Sequence, residues 1–255
     1  EDNGESHIIM VDSGNYDDAD KILTHIRTHY DKVKKSGWSG YVIDAAIVTH
    51  PDDDHIGGFV HILEDLQAGK LYDICFNCFW VNDPTKHEFV PNDVQRIQTQ
   101  KSLDARLKCV YNYKEDSKKN LLDLIDSAGI ARTEVFAGDY LDEPQITIIS
   151  PTRDFYESLL PKFRNKLNFH WALEALEENL YSSKDDISDE TTLSKTLDDA
   201  TDDTSAHNQS SIVFLLETDE KQKFLFTGDA GRDAFNHVPQ TLLGKGKDVT
   251  WMKVP

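Results

Sequence analysis

Residues 49–58 read THPDDDHIGG and bring four possible metal ligands into six positions, spaced as H-x-D-x-D-H. The four are His50, Asp52, Asp54 and His55. The mostly apolar run Tyr41–Thr49 leads into them and predicts a buried strand. On a tight loop at the end of a strand, alternate side chains can turn toward one point, and imidazole and carboxylate groups suit zinc, iron or manganese. The stretch therefore predicts a metal site at the edge of a sheet.

The residues that follow favour such a site over the alternative, an acidic turn with two incidental histidines. Gly57 and Gly58 let the chain turn, and the apolar run Phe59–Leu66 predicts a helix. We expect Asp52–Gly58 to form the loop between strand and helix. The amino terminus of a helix at this place would also favour anions nearby.

The apolar pattern elsewhere predicts strands interspersed with helices. The predicted strands are His7–Val11, Asp73–Val81, Val135–Leu141, Gln145–Ser150, Ile212–Glu217 and Phe224–Thr227, the last two joined as a hairpin through Asp219-Glu220. The predicted helices are Asp17–Ser36, Pro91–Leu107, Ser117–Ala128 and Phe155–Leu180. Because strands and helices alternate in both halves, we expect one α/β (α+β) domain in which helices cover two sheets.

The composition excludes some classes of protein. The 255 residues carry a formal net charge of −19, so the surface should repel nucleic acid unless metal ions hold it in a local pocket. The sequence contains no run of about 18 apolar residues, so it predicts no membrane-spanning helix. The cysteines are Cys75, Cys78 and Cys109, an odd and low number that fits a reducing compartment such as the cytoplasm. We expect Cys75 and Cys78 to be small core residues.

We predict a single domain over residues 1–255 that is incomplete at both ends. A fused domain or a partner protein would then complete it. Residues 184–205 carry eight acidic side chains against two lysines and few bulky apolar ones. This composition predicts a disordered insertion. It accounts for part of the net negative charge without contributing to a core.

Several stretches together resemble one family, the metallo-β-lactamase-fold hydrolases, whose signature loop usually reads H-x-H-x-D-H. The aspartate at the third position is similar to the DNA-uptake competence-protein (ComEC-like) branch, whose loop commonly reads S/T-H-x-D-x-D-H-x-G-G. Further similar stretches follow in the family's order: Ile8–Gly14 (IIMVDSG), Asn208–Leu216 (NQSSIVFLL), Phe224–Ala230 (FLFTGDA) and Met252–Pro255 (MKVP). The resemblance implies a four-layer αββα sandwich with the metals at one edge of the sheets.

The resemblance also implies a role for each matching residue in a centre of two divalent ions, zinc or manganese. His50 and Asp52 would bind the first ion, Asp54 and His55 the second, and Asp229 both. Asp12 and Asn208 would bind no ion themselves but would orient the loop that carries the ligands.

Two departures from the family pattern bear on this centre. The histidine that the family has after the stretch Met252–Pro255, a ligand of the second ion, would follow Pro255. The histidine of the third motif is also open: His207 lies four residues before Ser211, the offset of a ligand, whereas Asn208 lies at the offset of the branch's asparagine. His207 is therefore either a ligand of the first ion or a polar loop residue.

Two cations roughly 3.5–4 Å apart would lower the pKa of a water between them from about 15.7 toward about 7. Asp54 could accept or hold the proton of that water. Asp52 in place of a histidine makes the site harder, which favours manganese and anionic oxygen substrates. The predicted activity is thus hydrolysis of a phosphodiester, in DNA, RNA or a nucleotide.

Two other functions remain open, since a fold does not fix its function. One is hydrolysis of a lactone, thioester or lactam. The other is a catalytically weak module that senses a ligand or docks a partner within a larger assembly. Other possible sites are weaker: His25 and His29 are expected at the surface, His61 in packing, and Phe163, Phe169 and Trp171 in the core rather than stacking bases. Lys245-Gly246-Lys247 is too short for a phosphate loop.

Overall fold

A computed structural model describes residues 7–35, 37–87, 106–142, 144–163, 205–246 and 248–253. Its strands are β1 (Ile9–Val11), β2 (Val33–Lys35), β3 (Trp38–Ile43), β4 (Ala45–Ile47), β5 (Ile74–Phe76), β6 (Cys78–Trp80), β7 (Ala131–Thr133), β8 (Tyr140–Leu141), β9 (Gln145–Ser150), β10 (Val213–Glu217), β11 (Lys223–Phe226) and β12 (Trp251–Lys253). Its α-helices are α1 (Ala19–His29), α2 (Asp53–Gln67), α3 (Leu121–Ser127), α4 (Arg153–Leu159), α5 (Ala206–Gln209), α6 (Arg232–Asn236) and α7 (Gln240–Leu243). Among these described helices, none has the length and apolar character that crossing a membrane requires.

The strands form three sheets. One has the order β1-β4-β6-β7 and is parallel throughout. A second has the order β12-β11-β10-β9-β8 and is antiparallel except for the pairing of β11 with β12. The third, β2-β3-β5, continues the first one through the chain from β3 into β4 and from β5 into β6.

The first and second sheets pack face to face through a buried apolar layer. From the parallel sheet it takes Ala45, Ile47 and Trp80, and from the antiparallel sheet Ile146, Ile148 and Phe214. The helices cover the outer faces, where α2 buries Ile56, Phe59 and Leu63 completely. The fold is therefore mixed α/β and consistent with the αββα sandwich that the sequence predicts.

Two strands predicted as single runs are each divided in two. The runs Tyr41–Thr49 and Asp73–Val81 break at Asp44 and Asn77. The Asp44 carboxylate accepts a hydrogen bond from the backbone N–H of Ile8 at 3.0 Å and one from Asn77 Nδ2 at 3.2 Å. These side-chain bonds lie where the chain passes from one sheet to the next, beside the backbone bonds that the Asp44 and Asn77 N–H groups donate.

The prediction of core positions for both cysteines is wrong for Cys75. It is exposed because Ile74 and Phe76, its neighbours on β5, point into the core, and side chains alternate along a strand. Cys78 is half buried and packs against the layer between the sheets.

Two other predicted elements differ from the structure. The helix predicted over Asp17–Ser36 ends at His29, because Val33–Lys35 pairs with β3 in an antiparallel ladder. The strand predicted over Val135–Leu141 is mostly a loop, with only Tyr140–Leu141 in a sheet. In that loop the N–H of Val135 donates to the side chain of Asn82 at 2.9 Å, so it cannot join a ladder.

Other predictions are confirmed or lie outside the described residues. Gln145–Ser150 is a strand, and β10 and β11 form the predicted hairpin with a turn at Asp219-Glu220. The helix predicted over Ser117–Ala128 begins at Leu121, where Asn120 caps it. Three predictions lie wholly or partly outside the described residues. They are the helix Pro91–Leu107 up to residue 105, the helix Phe155–Leu180 from residue 164 on, which includes Phe169 and Trp171, and the acidic stretch from residue 184 to residue 204.

Candidate metal centre

The H-x-D-x-D-H stretch spans the junction between β4 and α2. Asp52 has extended backbone, with φ −72° and ψ 149°, and α2 begins at Asp53. The predicted loop Asp52–Gly58 is therefore wrong beyond its first residue: the two glycines lie inside the helix. His50 and Asp52 precede the helix, whereas Asp54 and His55 belong to its first turn.

The two glycines allow the helix to press against the loop that follows β1. A Cβ atom on Gly58 would overlap the carbonyl oxygen of Ser13, and one on Gly57 would overlap the backbone of Tyr16. Ser13 in turn accepts a hydrogen bond at its Oγ from the N–H of Phe59 at 2.8 Å, and its own N–H donates to the carbonyl of His55 at 2.8 Å. Because Asp12 precedes Ser13, this contact places Asp12 next to the start of α2.

Asp12 binds both sides of the junction. Its Oδ1 accepts from the Thr49 N–H at 2.8 Å, and its Oδ2 accepts from Thr49 Oγ1 at 2.7 Å and from Nδ1 of His55 at 2.9 Å. Because Nδ1 of His55 carries the proton of that bond, its Nε2 faces away from Asp12. Asp12 therefore contacts both Thr49 and the His55 ring, and its role in orienting them stays a prediction.

His50 is buried with a free lone pair. Its Nδ1 lies 3.0 Å from Thr49 Oγ1, whose own proton goes to Asp12, so Nδ1 must be the donor. The remaining Nε2 atom is buried and has no hydrogen-bond partner. Burial, together with the nearby His55 ring at 4.0 Å between centroids, lowers the pKa of His50 to about 4. A neutral imidazole with an unpaired nitrogen is the form that binds a metal ion.

Asp229 reaches the same point from the far part of the chain. It follows Gly228, which has φ +53° and lies against Thr49, and its N–H donates to Ser211 Oγ at 3.2 Å. Its Oδ2 lies 3.4 Å from Nε2 of His55. His50, His55 and Asp229 each offer one ligand atom, and these three atoms lie within 4.8 Å of one another.

Two carboxylates of the stretch, those of Asp52 and Asp54, flank this group. Asp52 Oδ2 lies 3.9 Å from His50 Nε2, and Asp54 Oδ2 lies 3.9 Å from His55 Nε2. The Asp54 side chain is 65% exposed, whereas that of Asp52 is 24% exposed. Two ligands that share one ion lie at most about 4.2 Å apart, given bonds of about 2.0–2.1 Å. Both separations lie below this upper limit, which applies to two ligands on opposite sides of an ion.

His55 is surrounded by negative charge. Burial disfavours its charged form, but the bond to Asp12 and the nearby carboxylates of Asp229 and Asp54 raise the pKa of His55 above its usual value. In its charged form the ring carries a proton on Nε2. An ion that binds Nε2 must displace that proton, so binding should release protons to the solvent.

The residues of the third motif lie beside the centre. His207 is in α5 and is buried, with its Nδ1 2.6 Å from Asp52 Oδ1, so it is not an exposed loop residue. Asn208 is the next residue of the same helix, half buried, and its carbonyl accepts from the N–H of Ser211 at 3.0 Å.

Two residues of the centre are not predicted from the sequence as functional. Thr49 links Asp12 to His50, and Ser211 accepts from the Asp229 N–H while lying 3.4 Å from Nδ1 of His50. Both lie next to strands, in stretches that carry the family resemblance, but a hydroxyl at such a position gives no signal of this role in the sequence alone.

The other candidate residues lie elsewhere. His25 and His29 are exposed on α1, and their rings lie 4.4 Å apart. His61 stacks on Tyr16 at 4.2 Å, in packing as predicted. Phe163 is buried in the core.

Comparison with known proteins finds a family match over the first part of the chain. The family model of the metallo-beta-lactamase superfamily matches residues 2–97, which include Asp12 and the whole H-x-D-x-D-H stretch. No curated protein matches the chain. The family match supports a metal-dependent hydrolase.

Proposed function

We propose that the protein is a metal-dependent phosphodiesterase, with His50, Asp52, Asp54, His55 and Asp229 as ligands of two divalent ions, zinc or manganese. The observation that carries the proposal is the buried, unpartnered Nε2 of His50, close to His55 and Asp229. An unpaired buried nitrogen costs stability unless something binds it. A cation resolves that cost and also neutralises the carboxylates gathered around it.

The bound ions would supply attraction for an anionic substrate and an acidified water as the nucleophile. The chain's own residues do the rest. Asp12 and Thr49 hold the rings of His55 and His50 so that their Nε2 atoms point into the centre. Asp54 is the most exposed of the carboxylates compared above, so its free oxygen can accept a proton and pass it to solvent.

The ligand set favours phosphodiesters as substrates. Three of the five proposed ligands are carboxylates, which make a hard site suited to ions that bind phosphate oxygens. The net charge of −19 provides no broad attraction for nucleic acid, so binding would depend on the ions. The H-x-D-x-D-H spacing is also the feature that assigns the chain to the competence-protein branch in this proposal. A nucleic acid or nucleotide is the expected substrate, and the cytoplasm the expected location.

The experiment is hydrolysis of bis-p-nitrophenyl phosphate and of single-stranded DNA and RNA, with zinc or manganese, by the parent and by His50→Ala and Asp54→Ala. The parent should be active and both variants should lose most of that activity. His29→Ala, an exposed histidine on α1, is the matched control and should retain it. Equal activity in the parent and in His50→Ala would refute the proposal.

A parallel panel of lactone, thioester and lactam substrates tests the alternative hydrolase activities. Turnover there, with none on phosphodiesters, would keep the metal centre and reject the substrate. Zinc binding without turnover of any substrate would favour the sensor or docking module.

A further inference from the structure

His207 contacts Asp52 beside the candidate centre. Its Nδ1 donates to Asp52 Oδ1 across 2.6 Å, and both residues belong to the edge of the centre. We infer that His207 is a positioning residue that fixes the carboxylate of Asp52, and is not a ligand of the first ion. The inference rests on the proposed metal centre and specifies how one of its ligands is held.

The distance excludes Nδ1 of His207 and Oδ1 of Asp52 as ligands of the same ion, and His207 is not among the residues whose ligand atoms lie within 4.8 Å of one another, which are His50, His55 and Asp229. Two atoms bound to one zinc ion lie about 3.3 Å apart at a tetrahedral angle and about 2.9 Å apart even at a right angle. The separation of 2.6 Å is shorter than both, and matches a charge-assisted hydrogen bond. The pairs that converge on the centre behave differently: His55 Nε2 lies 3.4 Å from Asp229 Oδ2 and 3.9 Å from Asp54 Oδ2.

The two oxygens of Asp52 are divided between these roles. Oδ1 accepts from His207, while Oδ2 is the oxygen that lies 3.9 Å from the unpartnered Nε2 of His50. A carboxylate held through one oxygen presents the other in a fixed direction. Ligating carboxylates in metal sites are commonly hydrogen-bonded in this way.

His207 is itself held in place. Its ring is buried and packs edge-on against Phe163, with 4.8 Å between centroids. The Ser210 hydroxyl donates to its carbonyl at 2.6 Å, and Gln209 accepts from the N–H of Ala234 at 2.8 Å. A buried ring on a segment held by these contacts can fix Asp52, just as Asp12 holds His55 through Nδ1 at 2.9 Å.

The test compares His207→Ala, His207→Gln and His207→Asn by zinc titration and by the X-ray absorption spectrum of the zinc-loaded protein. The amide nitrogen of asparagine takes the place of Nδ1 and can donate to Asp52, whereas that of glutamine takes the place of Nε2. Alanine and glutamine should weaken zinc binding about 10- to 100-fold, and asparagine should restore it to within about threefold. His29→Asn is the matched control and should bind as the parent does.

The absorption spectrum counts imidazole ligands and so does not depend on activity. We expect the number of imidazoles per zinc in His207→Asn to equal that in the parent. A loss of one imidazole, or binding by asparagine as weak as by alanine, would overturn the inference while leaving the centre intact. A parent that binds no zinc would instead overturn the proposed function.

Discussion

Oδ2 of Asp229 lies 3.4 Å from Nε2 of His55, although the two residues come from distant parts of the chain. The hairpin of β10 and β11 delivers Asp229, and the first turn of α2 delivers His55. With Nδ1 of His55 bound to Asp12, the ring has one free nitrogen, and it faces Asp229. The carboxylates of Asp12 and Asp229 therefore gather negative charge around one ring, which a bound cation would balance.

Replacing Asp229 by asparagine should reduce both metal affinity and activity. The amide keeps the shape of the side chain but removes its charge. Losing a residue that only hydrogen-bonds a ligand weakens metal binding about 10- to 100-fold, and we expect the loss of affinity here to be larger. Zinc titration measures it. Asp233→Asn, on the exposed face of α6, is the control. Parent-like affinity in Asp229→Asn would remove this residue from the centre.

Replacing Asp12 by asparagine should weaken zinc binding about 10- to 100-fold without unfolding the protein. Asp12 has φ +54°, a conformation that asparagine tolerates well, so the backbone should not change. The variant removes the charged acceptor of His55 Nδ1 and leaves that ring less firmly oriented. Asp17→Asn, exposed in the same segment, should bind zinc as the parent does.

Replacing Gly58 by alanine should destabilise the fold by about 1–3 kcal/mol, the usual cost of overpacking. The added methyl would overlap the carbonyl oxygen of Ser13, so α2 would have to move away from the loop that holds Asp12. Urea unfolding measures the loss. Gly244→Ala is the control: its φ is −62° and nothing lies near the added methyl, so the change should stay within about 0.5 kcal/mol.

Stability should fall as the pH rises through the folded pKa of His87. The ring lies between Glu134, 2.8 Å from Nε2, and Glu157, 2.9 Å from Nδ1, with the Arg153 guanidinium at 3.4 Å. Burial opposes the charged form, but the bonds to the two glutamates outweigh it and raise the pKa of His87. The stabilisation is therefore complete below the unfolded pKa of about 6.5 and is lost above the folded one.

The measurement for His87 is the free energy of unfolding of the parent and of His87→Gln across pH 5.5 to 9. The difference between them should be largest at the acid end and shrink as the pH rises. Glu157→Gln should show a smaller dependence than the parent. A difference that grows with pH would contradict the assigned direction.

The sequence allows much of the fold to be predicted, because strands buried on both sides are apolar along their length. Gln145–Ser150 and the hairpin that follows are examples. The breaks at Asp44 and Asn77 are not predictable in this way, since they depend on side-chain bonds to residues distant in sequence. The end of α1 was also missed, because pairing of Val33–Lys35 with β3 overrides helical spacing.

The sequence predicts which residues make up the candidate site, but not the contacts that hold them in place. His50, Asp52, Asp54 and His55 are adjacent in the sequence, and the family resemblance supplies Asp229. The contact of His207 with Asp52 and the link of Thr49 between Asp12 and His50 arise only from packing. Gly57 and Gly58 suggest a turn, whereas they serve the close approach of a helix to a loop.

The central claim is that His50, His55 and Asp229 hold divalent ions. Anomalous diffraction at the zinc absorption edge, from crystals grown with zinc, tests it directly. The account predicts two peaks roughly 3.5–4 Å apart, one of them within bonding distance of Nε2 of His50 and one within that of Nε2 of His55. The absence of any peak near these nitrogens and the Asp229 carboxylate, in crystals that contain zinc, would contradict it.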